Sequence, residues 1–335
     1  MTSGLHVVIT GGSGFLGAAL ARRILAAGSL ALDGADPRPV DRITLLDLAP
    51  PPADLAADPR VRSRAGDLLE TVPGLDDADV ILHLAGVVSG AAEADYDLGM
   101  RVNLDALRAV IDRTRAMATP PVLVFTSSLA VFGADPAIGP VGEVDDDTLP
   151  RPQSSYGIQK FIGEQLVADA ARRGFVRGRT VRLMTVSVRP GVPNAAASSF
   201  LSGMIREPVA GLRAVCPVDP DTAVALASPS RTLDGILRAA AVSTGEWGST
   251  TATTLPALST TPREMAAALD RVVGAGTSDL IDWRRDPAVE AIVGSWPSRF
   301  RTDRAARLGL VADASFDDIV AAHLAAVAAA GGVGA

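Results

Sequence analysis

The first residues with a clear pattern, LHVVIT from Leu5 to Thr10, form a short apolar run rich in β-branched side chains, and GGSGFLG follows at once. A run this short and this apolar suits a strand buried on both faces of a parallel sheet. From Phe15 the pattern FLGAALARRILAAG has helical spacing and closes at Gly28. Between the two, the glycines fall as Gly12-x-Gly14-x-x-Gly17 and also as Gly11-x-x-Gly14-x-x-Gly17. The early glycines permit a tight turn and let the backbone approach a pyrophosphate. The last lets the helix lie close against the strand. The unpaired N–H groups at the helix start then face the anion. Strand, glycine turn and helix in this order commit the start of the chain to an α/β fold of the dinucleotide-binding type.

The alternation continues. Residues 41–47, 78–86, 121–128 and 179–191 read as strands, and 96–117 and 156–173 as helices, the last stopping at Gly174. Strands alternating with helices give a Rossmann-type, doubly wound parallel sheet covered on both faces. After Gly191 the texture changes. Residues 208–231 are rich in proline and short apolar runs and carry no helical period. Two helix starts follow: Thr261 with Pro262 and Glu264 in capping-box spacing, and Ser315 before Asp317 and Asp318. The expected organisation is a nucleotide-binding domain over 1–190 and a smaller mixed α/β substrate domain over 191–335, with about 225–245 returning to the first. The terminal AAVAAAGGVGA is expected to fray.

Composition narrows the partners. A chain of 335 residues with net charge -7 is soluble and poorly suited to a nucleic-acid or acidic-membrane surface. Cys216 is the only cysteine, and the three histidines, His6, His83 and His323, lack metal-ligand spacing, so neither a disulfide nor a metal is expected. No apolar run approaches the ~18 residues of a membrane span. The start lacks the pattern of a secretory signal, so a cytoplasmic location is expected.

One residue stands out against this background. Of the 31 lysines and arginines, only Lys160 is a lysine, and one of the two tyrosines, Tyr156, lies four residues before it. On a helix the pair shares a face. A free phenol, with a pKa of about 10, is a poor base at neutral pH. A neighbouring ammonium, and the positive ring of an oxidised nicotinamide, favour the phenolate. The compact lysine head on its flexible stem reaches places where the planar fork of arginine does not fit. Ser127 and Ser128 end the 121–128 strand, where ligands bind in a parallel sheet, and either could hold a substrate hydroxyl against Tyr156. Asp47, ending the second strand, is placed to take both ribose hydroxyls and to repel a 2′-phosphate, which favours NAD over NADP. It lies 30 residues after Gly17, so an insertion at GSLALDGADPRPVD is expected between them. Asp67 is a further candidate, for the adenine edge.

The motifs TGGSGFLG, HLAG, TSSLAVFG and YGIQK, in this order, resemble the extended short-chain dehydrogenase/reductases. The resemblance covers about the first 190 residues. It implies catalysis by Ser128, Tyr156 and Lys160, with Phe132 where the family commonly has tyrosine. It implies NAD held by Gly11, Gly14, Phe15, Leu16, Gly17, Asp47, Asp67, Leu68, Leu84, Ala85, Gly86, Asn103, Tyr156 and Lys160. The stretches VVSGAAEADYDLGMRVNLD, RPGVPNAAASSF, IREPVAG, AVCPV and WPSRF are similar to a subgroup that oxidises the 2-hydroxyl of small sugar acids. Substrate would then meet Ser89, Ser128, Tyr156, Thr185, Arg189, Asn194 and Arg231, cations and amides being suited to a carboxylate. Family members often pair as homodimers through two helices, here 96–117 and 156–173. The rival readings are a nucleotide-sugar epimerase or dehydratase that keeps its NAD, and a non-catalytic NAD(H) sensor, which would not need the Tyr156/Lys160 pair.

Overall fold

The computed structural model describes residues 4–191 and 196–331. They fall into two compact units. The first comprises residues up to 131, 155–182 and 233–254; the second comprises 132–154, 183–232 and 255 onward. Against the expected 1–190 and 191–335 with about 225–245 returning to the first, residues 132–154 and 183–190 group with the second unit, and the returning segment is 233–254.

The first unit is built on one sheet. Its strands are β1 (Leu5–Thr10), β2 (Ser29–Leu30), β3 (Arg38–Asp47), β4 (Val61–Ala65), β5 (Val80–His83), β6 (Val122–Ser128) and β7 (Arg177–Leu183), with Thr253–Thr254 beyond β7. The order runs Thr253–Thr254, β7, β6, β5, β1, β3, and β3 also pairs with β4. The pairings β1–β3, β1–β5, β5–β6 and β3–β4 are parallel. The chain leaves β1 toward β3 and later returns on its other side as β5. The crevice at the carboxyl ends of β1 and β5 is thus the switch point at which such sheets bind ligands. All six residues of β1 are buried, as expected of a strand covered on both faces. A hydrophobic cluster including Val8, Ile81, Leu107, Leu123, Phe125 and Val167 packs one face.

The Phe15–Ala27 helix ends as the sequence indicates, with Gly28 at φ 69 donating to Ile24 O. The left-handed cap is strain-free only for glycine. The insertion before β3 is more ordered than a plain loop. Ser29–Leu30 pair antiparallel with Pro39–Arg38, and Asp33 accepts hydrogen bonds from Arg177 (3.1 Å), Arg179 (2.9 Å) and Thr244 (2.8 Å). The helix expected over 96–117 is interrupted. Tyr96–Met100 and Ala106–Thr114 are α-helical, and Arg101–Asp105 between them is a π-turn, a widening that recurs at functional sites. β4 gave no sequence signal because VRSRA has one buried residue in five.

The second unit holds a three-stranded sheet of Thr185–Val186, Val224–Ala227 and Leu258–Thr260, and a parallel pair of Ala214–Cys216 with Ile281–Trp283. Met204, Ile205, Leu226, Met265, Leu269 and Val320 lie in its core. The absence of helical period over 208–231 is corrected at both ends. The Phe200–Val209 helix carries Pro208 in its last turn, and the Pro229–Ala241 helix starts on a proline, the residue best tolerated there. Both capping residues read from sequence hold: Thr261 and Glu264 form a reciprocal capping box, and Ser315 Oγ accepts from Asp318 N. The final helix runs Phe316–Gly331 rather than fraying from residue 325; residues 332–335 lie outside the described part.

Candidate active site

The glycine turn closes onto its neighbours with little slack. Gly11 N–H donates to Leu46 O at 2.8 Å. A Cβ on Gly11 would stand 2.9 Å from Ala85 N, and one on Gly17 would stand 2.1 Å from Gly11 O. Gly14 differs: it is exposed, and a Cβ there would meet only Gly11 O, at 3.3 Å. Gly14 is also the N-cap of the Phe15–Ala27 helix, with no side-chain cap and no acidic residue in the first turn. Phe15 and Leu16 are half-buried in that turn. An open helix start beside bare backbone is a fitting place for a pyrophosphate. At the tip of β3, the Asp47 carboxylate accepts the Ser13 N–H (3.0 Å) and the Ala49 N–H (3.2 Å). It is thereby fixed against the glycine turn, where a ribose diol attached to that pyrophosphate would lie.

Asp67 is held by other groups. One oxygen caps Leu69 N at 2.8 Å and the other receives Arg101 at 2.7 Å. The Leu69 N–H, opposed by some burial and aided by Arg101, keeps this carboxyl below the usual range. The Leu68 side chain is buried in the core, so it can offer a ligand only its backbone. The turn after β5 is set by two buried groups. Thr10 Oγ1 and His83 Nδ1 share a hydrogen bond of 2.8 Å, and Thr10 also accepts the Ala85 N–H at 3.2 Å. Burial, and then the Lys160 charge, lower the His83 pKa to about 3. His83 is therefore a neutral strut at physiological pH. Asn103, in the π-turn, accepts the Val87 N–H (2.9 Å) and donates to Val87 O (3.2 Å) and Gln159 Oε1 (2.8 Å). Its two donors are spent on the protein, so it shapes the Leu84–Gly86 turn from behind.

The Ser155–Arg172 helix carries the lone lysine inward. Lys160 is 3% exposed and donates to Thr126 O at 3.0 Å. Its ammonium lies 5.7 Å from the Tyr156 ring centroid and 5.0 Å from that of Phe125. A Cβ on Gly86 would be 3.4 Å from Nζ, so the Leu84–Gly86 turn borders the amine. Burial lowers the Lys160 pKa to about 8. Ser128 follows Thr126 by two residues and is half-buried, its Oγ accepting the Ala130 N–H at 3.1 Å. The structure thus brings Tyr156, Lys160 and Gly86 together beside Thr126, two residues before Ser128 at the carboxyl end of β6. Ser89, 7% exposed, opens a short helix just past that turn.

The residues read as substrate ligands in the second unit stand as follows. Thr185 pairs with Leu226. Arg189 N–H donates to Ser202 Oγ at 3.0 Å, and Arg189 O accepts from Arg206 at 2.9 Å. Arg231 is exposed in the first turn of its helix. Asn194 lies outside the described residues. Among the described residues no cluster of ligating side chains could hold a metal, and no helix is long and apolar enough to cross a membrane. Sequence reasoning missed Thr10, Gln159, Glu164 and Arg182. Glu164 was within reach of it, lying four residues past Lys160 on the same helix stripe.

Residues 7–219 match the NAD dependent epimerase/dehydratase family. The chain is 48% identical to D-erythronate dehydrogenase of Cupriavidus necator, over 96% of this chain and 98% of that one. It is 38% identical to D-erythronate dehydrogenase of Haemophilus influenzae, over 94% and 98%. Among solved structures, one described as a nucleoside-diphosphate-sugar epimerase from Agrobacterium tumefaciens superposes with TM-score 0.87 at 37% identity, covering 96% of this chain and 94% of that one. With an open glycine-lined helix start, an aspartate fixed at the tip of β3 and a match over more than half its length, the chain belongs to the NAD dependent epimerase/dehydratase family and is an NAD-dependent enzyme.

Proposed function

We propose that this NAD-dependent oxidoreductase oxidises the 2-hydroxyl of a small sugar acid, D-erythronate, to the corresponding 2-oxo acid. The observation that carries the reading is the buried Lys160 ammonium, held between the Thr126 carbonyl and the Tyr156 ring beside the Leu84–Gly86 turn. Near-full-length similarity to two D-erythronate dehydrogenases supports the choice of substrate.

NAD, when bound, supplies the acceptor for the hydride leaving the carbinol carbon. The chain does the rest. Tyr156, as phenolate, takes the hydroxyl proton, and Ser128 Oγ holds the same oxygen in line. Lys160 favours the phenolate through its charge and reaches the ribose hydroxyls. Gly11, Gly14 and Gly17 with the N–H groups of Phe15 and Leu16 hold the pyrophosphate, and Asp47 takes the adenosine ribose. Leu68 and the Leu84–Gly86 turn contribute backbone, while Asp67 and Asn103 hold those segments in place. On the acid's side, Ser89 and Thr185 are assigned to hydroxyls, and Arg189, Asn194 and Arg231 to the carboxylate. Tyr156→Phe is expected to lower kcat by roughly 10²–10⁴-fold with NAD affinity retained; full activity in that variant overturns the assignment.

A second reading is favoured by one observation, the likeness to a structure described as a nucleoside-diphosphate-sugar epimerase. An epimerase regenerates its NAD within each cycle. Accumulation of NADH with D-erythronate, and none with nucleotide sugars, supports the dehydrogenase; the reverse supports the epimerase. The working form is proposed to be a cytoplasmic homodimer paired through the helices of residues 96–114 and 155–172. Tyr96, Leu98, Ile158 and Ile162 are exposed apolar side chains on them. Light scattering should give about twice the 34.3 kDa chain mass.

A further inference from the structure

Beneath Ser128 lies a buried network that the proposed chemistry does not use. Ser127 Oγ donates to Glu164 Oε1 at 2.6 Å. Arg182, near the end of β7, donates through Nε to Oε1 (2.9 Å) and through a terminal nitrogen to Oε2 (2.7 Å). Ser127 and Glu164 are each 2% exposed and Arg182 is 6% exposed. Glu164 stands at i+8 from Tyr156 and i+4 from Lys160, so all three share one helix stripe.

We propose that Glu164, held by Arg182 and gripping Ser127, is a positioning residue that sets Ser128 against Tyr156; the inference rests on the catalytic reading above. The helix grips β6 at two successive residues. Lys160 takes the Thr126 carbonyl and Glu164 takes the Ser127 hydroxyl, so the strand end can neither slide nor roll before it reaches Ser128. Ser128 Oγ is then aimed by the Ala130 N–H at 3.1 Å. The opposing fork of Arg182 keeps the carboxylate plane fixed, because two parallel N–H donors define an orientation as well as a distance. An apolar pair of the same volume would fill this space and cost less desolvation. It would leave the strand end held by Lys160 alone, with one of its two restraints on rotation lost, and that rotation decides where the next hydroxyl points.

The experiment measures kcat, KM for D-erythronate and NAD affinity in single and paired variants. Ser127→Ala leaves the ion pair intact and is expected to lower kcat about fivefold, with KM and NAD affinity within twofold. In a Ser128→Ala background the same change is expected to cost less than twofold, because Ser127 acts only through its neighbour. Equal losses in both backgrounds, or an unchanged kcat for Ser127→Ala, overturn the proposal. The paired change Glu164→Leu with Arg182→Leu removes both charges together. It is expected to restore a melting temperature near that of the wild type while kcat stays at least tenfold down; a folded pair with wild-type kcat marks the network as purely structural and overturns the proposal. If the pair does not fold, the Ser127 comparison decides alone. If Ser128→Ala and Tyr156→Phe retain full turnover, or the wild type turns over no D-erythronate, the catalytic reading has failed and the inference falls with it.

Discussion

β7 meets carboxylates at both ends, and the two ends are built differently. At its start, Arg177 and Arg179 share the single carboxylate of Asp33 with the Thr244 hydroxyl. Near its finish, Arg182 has Glu164 in a bidentate pair that also takes Ser127. The first cluster is wet only at one edge, the Asp33 and Arg177 side chains being 20% and 35% exposed while that of Arg179 is 2% exposed; the second is dry throughout, the Arg182 and Glu164 side chains being 8% and 2% exposed. Strand alternation puts Arg177 and Arg179 on one face and Arg182 on the other. The first cluster fastens an insertion to the sheet, with water reaching Arg177 and Asp33 but not Arg179. The second adjoins Ser128 and Lys160 along β6 and the helix, and is matched charge for charge. Lys160 is a third case: a buried cation with a carbonyl and two aromatic rings around it but, among the described residues, no carboxylate pair. The difference separates cations whose charge the fold neutralises from the one to which the proposed function assigns chemistry.

The largest effect should come from breaking the dry pair on one side. Arg182→Ala strands a buried carboxylate and is expected to cost about 3–5 kcal/mol in urea unfolding; a loss under about 1 kcal/mol would mean that water reaches Glu164.

Lys160→Met should move stability the other way while removing turnover. Burial depresses the lysine from 10.5 to about 8, which corresponds to on the order of 3 kcal/mol of disfavoured charge. With about 1 kcal/mol returned for the lost bond to Thr126, the variant should be more stable by roughly 2 kcal/mol at pH 7. The sign of the pH dependence follows. The cost of the buried ammonium is fully present below pH 8 and fades as pH rises toward 10.5, so the wild type should close the gap over that window. A gap that stays constant across it would show that Lys160 is not depressed.

Asp33→Asn is expected to cost about 1–2 kcal/mol at pH 7, for weakened bonds to two guanidiniums and a hydroxyl. Burial works against the Asp33 carboxylate, but hydrogen bonds from Thr244 and Arg177 and the nearby arginine charges hold its pKa below 3.8. Its contribution is therefore present above that value and lost as pH falls through the lower folded value. The acid limb of the stability curve should flatten in the variant; an unaltered acid limb would contradict the assignment. Arg177→Ala, at the wet edge, should change stability by less than about 1 kcal/mol, since Arg179 still holds Asp33.

How far the sequence could be read follows from the same contrast. Tyr156 and Lys160 are one helical turn apart, and Gly11, Gly14 and Gly17 are contiguous with the strand they follow, so both were visible locally. Arg182 and Glu164 are 18 residues apart on different elements, Thr10 and His83 are 73 apart, and Asp33 and Thr244 are 211 apart. No periodicity links such positions. β4 was missed because its edge position leaves its side chains mostly polar, and the π-turn because Arg101–Asp105 keeps the composition of an ordinary helix. Asp67 had its position legible and its partners, Leu69 and Arg101, not.

By itself the sequence determined the strand–glycine–helix start, the alternation that makes a parallel sheet, and the tyrosine–lysine pair, all of which arise from steric and periodic rules acting over a few residues. The tertiary structure alone decided which of many arginines meets which carboxylate, that His83 is a strut, and that Lys160 is depressed rather than solvated. Those outcomes depend on burial and on contacts between distant segments, and the energy of a charge is set by the medium and the neighbours that folding places around it.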